Sequence, residues 1–522
     1  MMKKNDERDA SFKKGLVSIN ARSLYFWGFV FLLCFFLCPH TAHANNLAVS
    51  SVSLVERNTT AQTINVKFTV SWDNAWKDEI NNDAVWIFVK YSTDGGTTWE
   101  HATITSASYT PTGASISIPA DQKGAFIQPA NYGTGTQTYT DVELLWAYGL
   151  DGVTDAEVIS AANSKVKVFG IEMVYIPAGG FYAGDTSSTA DFEQGSSDTK
   201  SWFIPNENAI HVTDIASGGY YYTTNGSTGE SPTGDDFWIP QDYPKGYKAF
   251  YMMKYEISEG QWVAFFNTLT GTQKTTRDIT SATGKNSDVT VSRNTIAWTS
   301  GDATTNRSAR ACNYLSWLDL CAYAAWAGLR PMTELEFEKA ARGPLESVSG
   351  EYAWGTTSIT ACSTISGTEN GTEYCSTASS NCTYNNRTFT GGDASSGATR
   401  VGIYATGSTA TARASAGAGF YGNLDLSGNV EERVVTVGNP TGRAFVGSHG
   451  DGVLSTNGNA TNPDWPGFSA GEVLGSTGSG NRGGGWPDTT VGRLSVSDRN
   501  DAAKPDATRT NSYGGRCVRT AP

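Results

Sequence analysis

The stretch ACNYLSWLDLCAYAAWAGLRPMTELEFEKAARG, residues 311–343, predicts two helices. In the first, apolar side chains recur at spacings of three and four residues, and Gly328 follows as a C-terminal stop. The second starts with Thr333 and has Glu336 three residues later, which is the pattern of a capping box. Upstream, EISEGQWVAFFNTL at 256–269 predicts another helix that Ser258 can cap. We expect all three helices to be scaffold.

Further motifs lie on both sides of these helices. They are MVYIPAGGFYAGD at 173–185, FYMMKYEISEGQWVAFFNTL at 250–269, YAWG at 352–355, YGNLDLSGNVEERVV at 421–435, RGGGW at 482–486 and GGRCVR at 514–519. In this order, the motifs resemble those of the formylglycine-generating enzyme and sulfatase-modifying factor family. The resemblance implies a C-type-lectin-like α+β fold, rich in loops, for residues 169–522.

Residues 45–168 are predicted to form a separate all-β domain of the immunoglobulin-like sandwich type. TINVKFTVSW at 63–72 alternates apolar and polar side chains, and DAVWIFVKYSTDGGTTWEHATI at 83–104 is typical of a hairpin. DVELLWAYGL at 141–150 and SKVKVFGIEMVYI at 164–176 supply further strands. A sandwich of this kind usually serves as a spacer or a binding module.

The first 44 residues are interpreted as a secretory signal peptide. A basic leader precedes the apolar run LYFWGFVFLLCFFLC at 24–38, and Ala42 and Ala44 supply the small residues of a cleavage site. The alternative is an uncleaved anchor, which would be the chain's contact with a membrane. We therefore expect a secreted, periplasmic or cell-surface protein.

The charge and the cysteines of the chain agree with export. The net charge is -13 and no basic run follows the leader, which disfavours a nucleic-acid partner. Six cysteines lie outside the signal segment and can form up to three disulfides: Cys312, Cys321, Cys362, Cys375, Cys382 and Cys517. A zinc site is disfavoured, because the histidines after residue 44 are scattered and C-x-x-C is absent.

The family resemblance also defines what is missing for catalysis. Members that make formylglycine carry two cysteines, five residues apart, just after the glycine-rich aromatic segment, and use them in copper-dependent oxidation. Here GGGWPDTTVGR places Asp488 and Arg493 at those positions. Neither side chain can form a thiolate or bind Cu(I) as a soft ligand. We therefore expect no formylglycine-generating activity and no copper cofactor.

A calcium site is the cofactor that the resemblance implies. In DLSGNVEE, the residues Asp425, Gly428, Val430 and Glu432 match a pattern of side-chain and carbonyl oxygens that enclose Ca²⁺. The alternative is that Asp425 caps the turn while Glu432 pairs with an arginine. A weaker candidate combines Asn385 or Asn386 with Asp393 and the carbonyl of Ser395, where a solvated loop is the favoured interpretation.

The C-terminal segment is interpreted as a binding surface. Tryptophan and arginine often carry binding energy, which makes the segment after RGGG a candidate for contact with an extracellular glycan, peptide or protein. The candidate ligand-binding residues are Trp486, Asp488, Arg493, Asp498 and Arg499. The alternative for Trp486 and Arg499 is a structural role, in the core and in a carboxylate pair.

Two functional classes follow from the sequence. The first is a non-catalytic protein that uses its sulfatase-modifying-factor-like domain for ligand binding or structural assembly, braced by calcium. A special form is the retroelement-diversified binding protein, which this chain resembles in ending at an R-C-V-R-like motif after a variable lectin-fold face. The second class is an enzyme that modifies exported proteins by unrecognised chemistry on the same fold.

Overall fold

The computed structural model describes residues 46–186, 192–194, 200–213, 219–406 and 412–522. The predicted signal peptide, residues 1–44, lies outside these residues. Within the described ranges, no helix is both long and apolar enough to cross a membrane.

The first third of the described chain consists almost entirely of strands. In chain order these are β1 (Ala48–Asn58), β2 (Thr63–Lys77), β3 (Asp83–Ser92), β4 (Glu100–His101), β5 (Ile104–Tyr109), β6 (Ala114–Ser117), β7 (Ala125–Pro129), β8 (Gly133–Trp146) and β9 (Lys165–Ile176). Strands β1, β2, β8 and β5 form one antiparallel sheet in that order. The strands predicted from alternating side chains are therefore confirmed.

A second sheet packs against the first through a shared apolar core. The alternating residues Ile64, Val66 and Phe68 of β2 are buried together with Val85 and Ile87 of β3. In this second sheet, β3 lies between β7 and β9, and β4 pairs with the end of β3. The two layers bury the apolar faces of both sheets. The immunoglobulin-like type of this sandwich stays a prediction.

The strand β9 crosses the expected domain boundary at residues 168 and 169. On one edge it pairs with β3 from Asp83 to Ser92. On its other edge it pairs with a C-terminal strand, where Met173 lies opposite Met253. The second sheet therefore continues without interruption from the N-terminal part of the chain into the C-terminal part.

The C-terminal region adds many short strands. They are β10 (Phe181–Ala183), β11 (Phe192–Gln194), β12 (Trp202–Ile204), β13 (Ile210–Val212), β14 (Tyr220–Tyr222), β15 (Phe237–Ile239), β16 (Phe250–Met253), β17 (Arg330–Pro331), β18 (Ile365–Ser366), β19 (Tyr374–Cys375), β20 (Glu431–Val435), β21 (Phe468–Ser469), β22 (Glu472–Val473), β23 (Ser479–Arg482), β24 (Tyr513–Gly514) and β25 (Cys517–Thr520). The continuous sheet runs from β9 through β16 and β25 to β17.

The helices are short and most begin at a capping box. They are α1 (Asp155–Val158), α2 (Glu259–Phe266), α3 (Gly271–Arg277), α4 (Trp317–Ala327), α5 (Glu334–Arg342) and α6 (Pro440–Arg443). The predicted caps Ser258 and Thr333 accept hydrogen bonds from the backbone N–H of Gln261 and Glu336. Gly328 ends α4 with a φ of 68°, which glycine adopts readily. The sequence-based helix boundaries are thus confirmed, and the fold is a strand-rich mixture of helix and sheet.

One disulfide joins Cys362 to Cys375 in the loop that leads to β19. The other four cysteines described, Cys312, Cys321, Cys382 and Cys517, are buried thiols. The structure thus has one of the three disulfides that six cysteines allow. In this loop a covalent link supplies order where the chain has little regular secondary structure.

Candidate functional site

A small three-stranded sheet positions the candidate site. Strand β20 pairs with β23 on one edge, with Glu432 opposite Arg482, and with β24 on the other. After β23 the chain reverses at Gly483 and Gly484, whose φ values are 87° and 62°. A Cβ at Gly484 would lie 2.9 Å from the carbonyl oxygen of Arg493, so the turn requires glycine. This turn carries the segment after Trp486 back over the sheet.

The folded segment and the sheet enclose a small cavity of about 10 Å³, room for about one water molecule, which we call the acidic cavity. Its walls carry four carboxylates and two guanidiniums, from Glu431, Asp488, Asp498, Asp501, Arg482 and Arg493. The predicted ligand-binding residues Asp488, Arg493 and Asp498 thus lie together. Asp488 and Arg493, the two residues that the sequence resemblance aligns with the cysteine pair, therefore both lie in the wall of one cavity.

Ion pairs fix the two guanidiniums differently. Arg482 is fully buried and donates to Glu334 at 2.9 Å and to Glu338 at 2.6 Å. Its charge is thereby balanced by residues of α5, behind the cavity. Arg493 is partly exposed, and its Nη1 lies 2.6 Å from Oδ2 of Asp501. Arg493 is thus the guanidinium that neutralises a carboxylate of the wall itself.

Burial raises the pKa values of the wall carboxyls. Burial, followed by the charges of Asp488 and Asp501, raises the pKa of Glu431 to about 8. Burial also raises the pKa of Asp488 and of Asp498, although Arg493 counteracts part of both shifts. The raised pKa values of these carboxyls reflect restricted solvation first and crowded negative charge second, and both favour the neutral form.

Asn481 lies in the wall of the acidic cavity, and its side-chain amide is unpaired. Its side chain is almost fully buried, yet neither its amide nitrogen nor its carbonyl oxygen has a hydrogen-bond partner among the described residues. Leaving such a group unpaired costs about 1–3 kcal/mol. A buried donor and acceptor without partners at a cavity wall is consistent with a group that a ligand would satisfy.

Trp486 and Arg499, which were also predicted to bind ligand, lie in the interior. Trp486 is 5% exposed, packs in an apolar cluster with Tyr255 and Val430, and donates from Nε1 to the carbonyl of Asn511 at 2.7 Å. Arg499 is fully buried and donates to Glu334 at 2.8 Å from Nε. The structure does not bring these two side chains to the acidic cavity, because the core and a buried carboxylate hold them.

The four residues of the predicted calcium site lie next to a buried arginine. Both carboxylate oxygens of Glu432 accept hydrogen bonds from Arg516, at 2.8 and 2.6 Å. Oδ2 of Asp425 accepts from the backbone N–H of Gly402 at 2.5 Å. The oxygens present have the chemistry that calcium prefers, but Glu432 would have to share its carboxylate between the metal and the guanidinium.

Backbone contacts close the turn between Asp425 and Glu432. The N–H of Gly428 donates to the carbonyl of Gly483 at 2.9 Å, and the N–H of Val430 donates to Glu256 at 3.0 Å. Among the described residues, no group of three or more histidine, cysteine, aspartate or glutamate side chains is arranged to hold a metal ion. Any calcium bound here would therefore depend on carbonyl oxygens.

In the weaker calcium candidate, the carboxylate of Asp393 already forms ion pairs with two arginines. Oδ1 of Asp393 lies 2.6 Å from Nη2 of Arg307, and its Oδ2 lies 2.6 Å from Nη2 of Arg310. Asn385 and Asn386 turn their backbone N–H groups to the carbonyls of Asp488 and Trp486. This loop therefore supports the segment that covers the acidic cavity.

Sequence reasoning missed four side chains of the cavity wall, namely those of Glu431, Asn481, Arg482 and Asp501. Glu431 and Asn481 lie on adjacent strands of the small sheet, and their proximity depends on strand pairing across about fifty residues of sequence. Only Glu431 had a local signal, because it precedes Glu432 within the motif DLSGNVEE. Pairing of this kind cannot be deduced from residue type alone.

None of the thiols of the described chain is in the wall of the acidic cavity. Burial raises the pKa values of Cys312, Cys321, Cys382 and Cys517, which keeps each of them as a neutral thiol. The cavity offers carboxylates, a guanidinium and an amide. These groups can bind a charged ligand or transfer a proton, but a thiolate is not among the side chains described in its wall.

Comparisons with known proteins identify the family of the chain. A family described as the sulfatase-modifying factor enzyme 1-like domain matches residues 160–521, which is more than half of the chain. A formylglycine-generating enzyme from Thermomonospora curvata is 46% identical over 55 residues, or 10% of this chain. That alignment spans 18% of the length of the relative. On the match over residues 160–521, the chain belongs to the sulfatase-modifying factor enzyme 1-like family.

Proposed function

We propose that this protein is a secreted or cell-surface binding protein that contacts its ligand at the surface around the acidic cavity without catalysing a reaction. The observation that carries the proposal is that Asp488 and Arg493 both line the cavity. By the sequence resemblance, these are the residues that stand in place of the cysteine pair. A carboxylate and a guanidinium recognise charged groups well but cannot exchange a disulfide. The family scaffold would thus be retained for recognition.

The partner would be an extracellular glycan, peptide or protein. A net charge of -13 disfavours nucleic acid, and contact with a membrane would come only through the signal segment if it remains uncleaved. The N-terminal sandwich, which we take to be immunoglobulin-like, would present the cavity or contribute to structural assembly. Its continuous sheet with the C-terminal region supports a rigid presentation.

Binding to panels of glycans, peptides and extracellular proteins would test this role. The full chain is compared with Asp488→Ala/Arg493→Ala, which removes both charges from the wall. We expect the captured ligand to bind at least about tenfold more weakly to the double variant. Arg57→Ala is the matched control, because this exposed arginine donates to the carbonyl of Asp155 far along the chain from the cavity. Unchanged capture by the double variant would contradict binding at this site.

One observation favours a second candidate, an enzyme that acts on exported proteins. The pKa of Glu431 is raised to about 8, a range in which a carboxyl can act as a general acid or base near neutral pH. Incubation of the full chain with a mixture of exported proteins, followed by mass spectrometry of their peptides, separates the two functions. A binding protein leaves the masses of these peptides unchanged. A mass change that is lost in Glu431→Gln would establish catalysis instead.

We further propose that calcium braces the turn from Asp425 to Glu432. Asp425 and the carbonyl groups of Gly428 and Val430 would supply oxygens, and Glu432 would contribute while still bonded to Arg516. Thermal unfolding with calcium and with EDTA tests this brace. Calcium should raise the melting temperature of the native chain and not that of Asp425→Ala. Equal melting temperatures in calcium and EDTA would show that Arg516 alone neutralises this turn.

A further inference from the structure

Lys254 is the cation of a buried triad with two carboxylates. Its Nζ lies 3.3 Å from Oδ2 of Asp83 and 3.2 Å from Oε2 of Glu172, and none of the three side chains is more than 5% exposed. In the other ion pairs of the described chain whose two partners are both buried, the cation is an arginine. The difference matters because a lysine can lose its proton and act as a nucleophile, whereas a guanidinium stays charged.

Three neighbouring strands bring the triad together. Glu172 lies on β9, and Asp83 is the first residue of β3, opposite Val174. Since residues 172 and 174 project to the same face of β9, Asp83 and Glu172 are diagonal neighbours on that face. On the other edge of β9, directly after β16, the N–H of Lys254 donates to the carbonyl of Glu172 at 2.9 Å. The side chains of Asp83 and Lys254 therefore meet over β9.

Two N–H donors hold the carboxyl group of Asp83. Oδ1 accepts from the backbone N–H of Trp76 at 3.2 Å, and Oδ2 accepts from Nε1 of Trp72 at 3.1 Å. Donors fixed on both oxygens stabilise the negative charge that develops on oxygen when a nucleophile adds to the carboxyl carbon. The carboxylate of Glu172 accepts from Lys254 and from no other donor among the described residues. Asp83 is thus arranged as an electrophile, and Glu172 is arranged to move a proton.

Burial and neighbouring charge set the protonation of the triad. Burial raises the pKa of Asp83 to about 6 and also raises the pKa of Glu172. Burial lowers the pKa of Lys254, but Tyr255 and the two carboxylates outweigh burial and raise it. The resting triad is therefore an ion pair. A proton that passes from Lys254 to Asp83 leaves an amine beside a neutral carboxyl, and surroundings that solvate charge poorly favour this neutral pair.

A cavity of about 230 Å³ adjoins the triad. Glu172 lines this cavity together with Gly170, Met253 and Tyr255. The space holds several water molecules, since one water molecule needs about 10–15 Å³ on this measure. Because Glu172 belongs both to the triad and to the cavity wall, a water molecule released at the triad has a place to enter.

We propose that Lys254 and Asp83 condense to an intramolecular isopeptide bond, with Glu172 as the catalytic residue that moves the proton. Nζ of Lys254, as the amine, attacks Cγ of Asp83, and a carbon–nitrogen bond forms. Glu172 takes a proton from the attacking nitrogen and returns it to the departing hydroxyl group, so that one carbon–oxygen bond breaks and water leaves. No oxidant or second substrate takes part. The new amide N–H then donates to Glu172.

Two physical effects favour the amide. The paired strands hold the amine and the carboxyl in contact, so the reaction occurs within one molecule and needs no encounter in solution. Condensation also replaces a desolvated ion pair by a neutral amide, which removes the cost of burying those two charges. The product joins residue 83 of the N-terminal part covalently to residue 254 of the C-terminal part. This inference goes beyond ligand binding and does not depend on it.

Mass spectrometry of the reduced and denatured full chain tests the bond directly. We expect a mass lower, by one water molecule, than the mass calculated from the sequence and the determined N-terminus. Trypsin should release a branched peptide that joins residues 78–90 to residues 249–274, because acylated Lys254 is not cleaved. A chain of full mass, cleaved after Lys254 and without the branched peptide, would overturn the inference.

Variants assign the bond to the triad. Lys254→Arg keeps the positive charge but has no amine, so it should have its full calculated mass. Glu172→Gln cannot take up the proton and should form the bond at least about a hundredfold more slowly, followed as the linked fraction over time after expression. Lys67→Arg is the matched control and should lose water like the native chain. Lys67 also contacts two carboxylates, of Asp141 and Glu143, but its side chain is 33% exposed.

The outcomes of the variants are also distinguishable. A loss of water that persists in Lys254→Arg would overturn the assignment, and rapid linkage in Glu172→Gln would overturn the catalytic role of that carboxylate. Melting temperatures identify a variant that fails to fold, and the mass of the native chain remains a valid test in that case. A native chain of full mass that still captures a ligand would overturn the isopeptide bond and leave the binding function intact.

Discussion

At the scale of single residues, Trp486 distinguishes a scaffold role from a binding role. Its indole is enclosed by the cluster that contains Tyr255, Leu424 and Val430. Trp486→Ala should therefore lower the free energy of unfolding by about 3–5 kcal/mol, because a large cavity replaces the ring. Urea denaturation measures this change.

Trp238→Ala is the control for that experiment. Trp238 is 56% exposed and stacks on His211 at the surface, so its removal should change the free energy of unfolding by less than about 1 kcal/mol. A small effect of Trp486→Ala, accompanied by loss of ligand binding, would instead show that the indole contacts the ligand.

The sequence could identify the residue types of the site but not their exposure. The position of Asp488 and Arg493 followed from the motif RGGGW and from the five-residue spacing. Arg499 has the same chemistry as Arg493, yet it is buried against Glu334 while Arg493 pairs with Asp501 at the cavity. Which of two nearby arginines faces solvent depends on how the loop folds over distant residues, and no local pattern encodes this.

At the scale of the elements, the N-terminus of α4 concentrates buried charge. Asp319 accepts from the capping residue Ser316 and pairs with Arg277 and Arg509. Burial alone would raise the pKa of Asp319, but Arg509 and Arg277 lower it to about 2. Because the folded-state pKa is depressed, this carboxylate stabilises the fold above the unfolded pKa of about 4, and the contribution is lost as the pH falls toward 2.

Asp319→Asn should remove about 2 kcal/mol of this pH-dependent stability between pH 4 and 2. At neutral pH it should cost about 3–5 kcal/mol, because two buried guanidiniums lose their counter-ion. Chemical denaturation across this pH range measures both effects. Asp302→Asn, at an exposed pair with Lys274, should follow the native curve. A native-like pH profile in Asp319→Asn would contradict the assigned role.

The loop closed by Cys362 and Cys375 gives a second prediction for an element. Replacement of both cysteines by serine should lower the free energy of unfolding by about 2–3 kcal/mol, since the bridge spans only 13 positions in sequence. Denaturation with and without dithiothreitol measures the change. The reductant should destabilise the native chain and leave the double variant unaffected, and an equal response of both would place the stabilising bond elsewhere.

Local elements were largely predictable because their determinants are local. Alternating residues identified β2, and capping boxes at Ser258 and Thr333 located the starts of α2 and α5. The strands that pair with β9 could not be predicted from the sequence. The backbone hydrogen bonds between two antiparallel strands form with many different side chains, so they do not specify the partner. The expected boundary at residues 168 and 169 was placed by a change in pattern, whereas β9 continues through it.

At the scale of the whole molecule, side-chain contacts join the two parts of the chain in addition to the sheet that they share. Nε1 of Trp86 donates to the carbonyl of Ala327 at 2.8 Å, and Nζ of Lys90 donates to the carbonyl of Gly452 at 2.9 Å. Arg519 near the C-terminus pairs with Asp121. The first two of these contacts are buried, and they join the N-terminal part of the chain to the C-terminal part.

We therefore expect residues 46–522 to unfold in one cooperative transition in calorimetry, with equal calorimetric and van't Hoff enthalpies. A truncated chain that begins at residue 169 should bind the dye ANS and aggregate, because it exposes the edge of β9 and the surface that Trp86 and Phe126 cover. Two separate transitions, or a monomeric and dye-free truncated chain, would show that the parts are independent.

The continuous sheet also determines how the protein would respond to mechanical load. Tension between the N-terminal strands and the C-terminal strand β16 would pass across the paired strands β3, β9 and β16, since β9 pairs with both of its neighbours. The hydrogen bonds between two neighbouring strands would then carry the load in parallel and break together. Pulled from its two ends, the protein should rupture in a single event, and it would transmit force like a stiff rod instead of a tether.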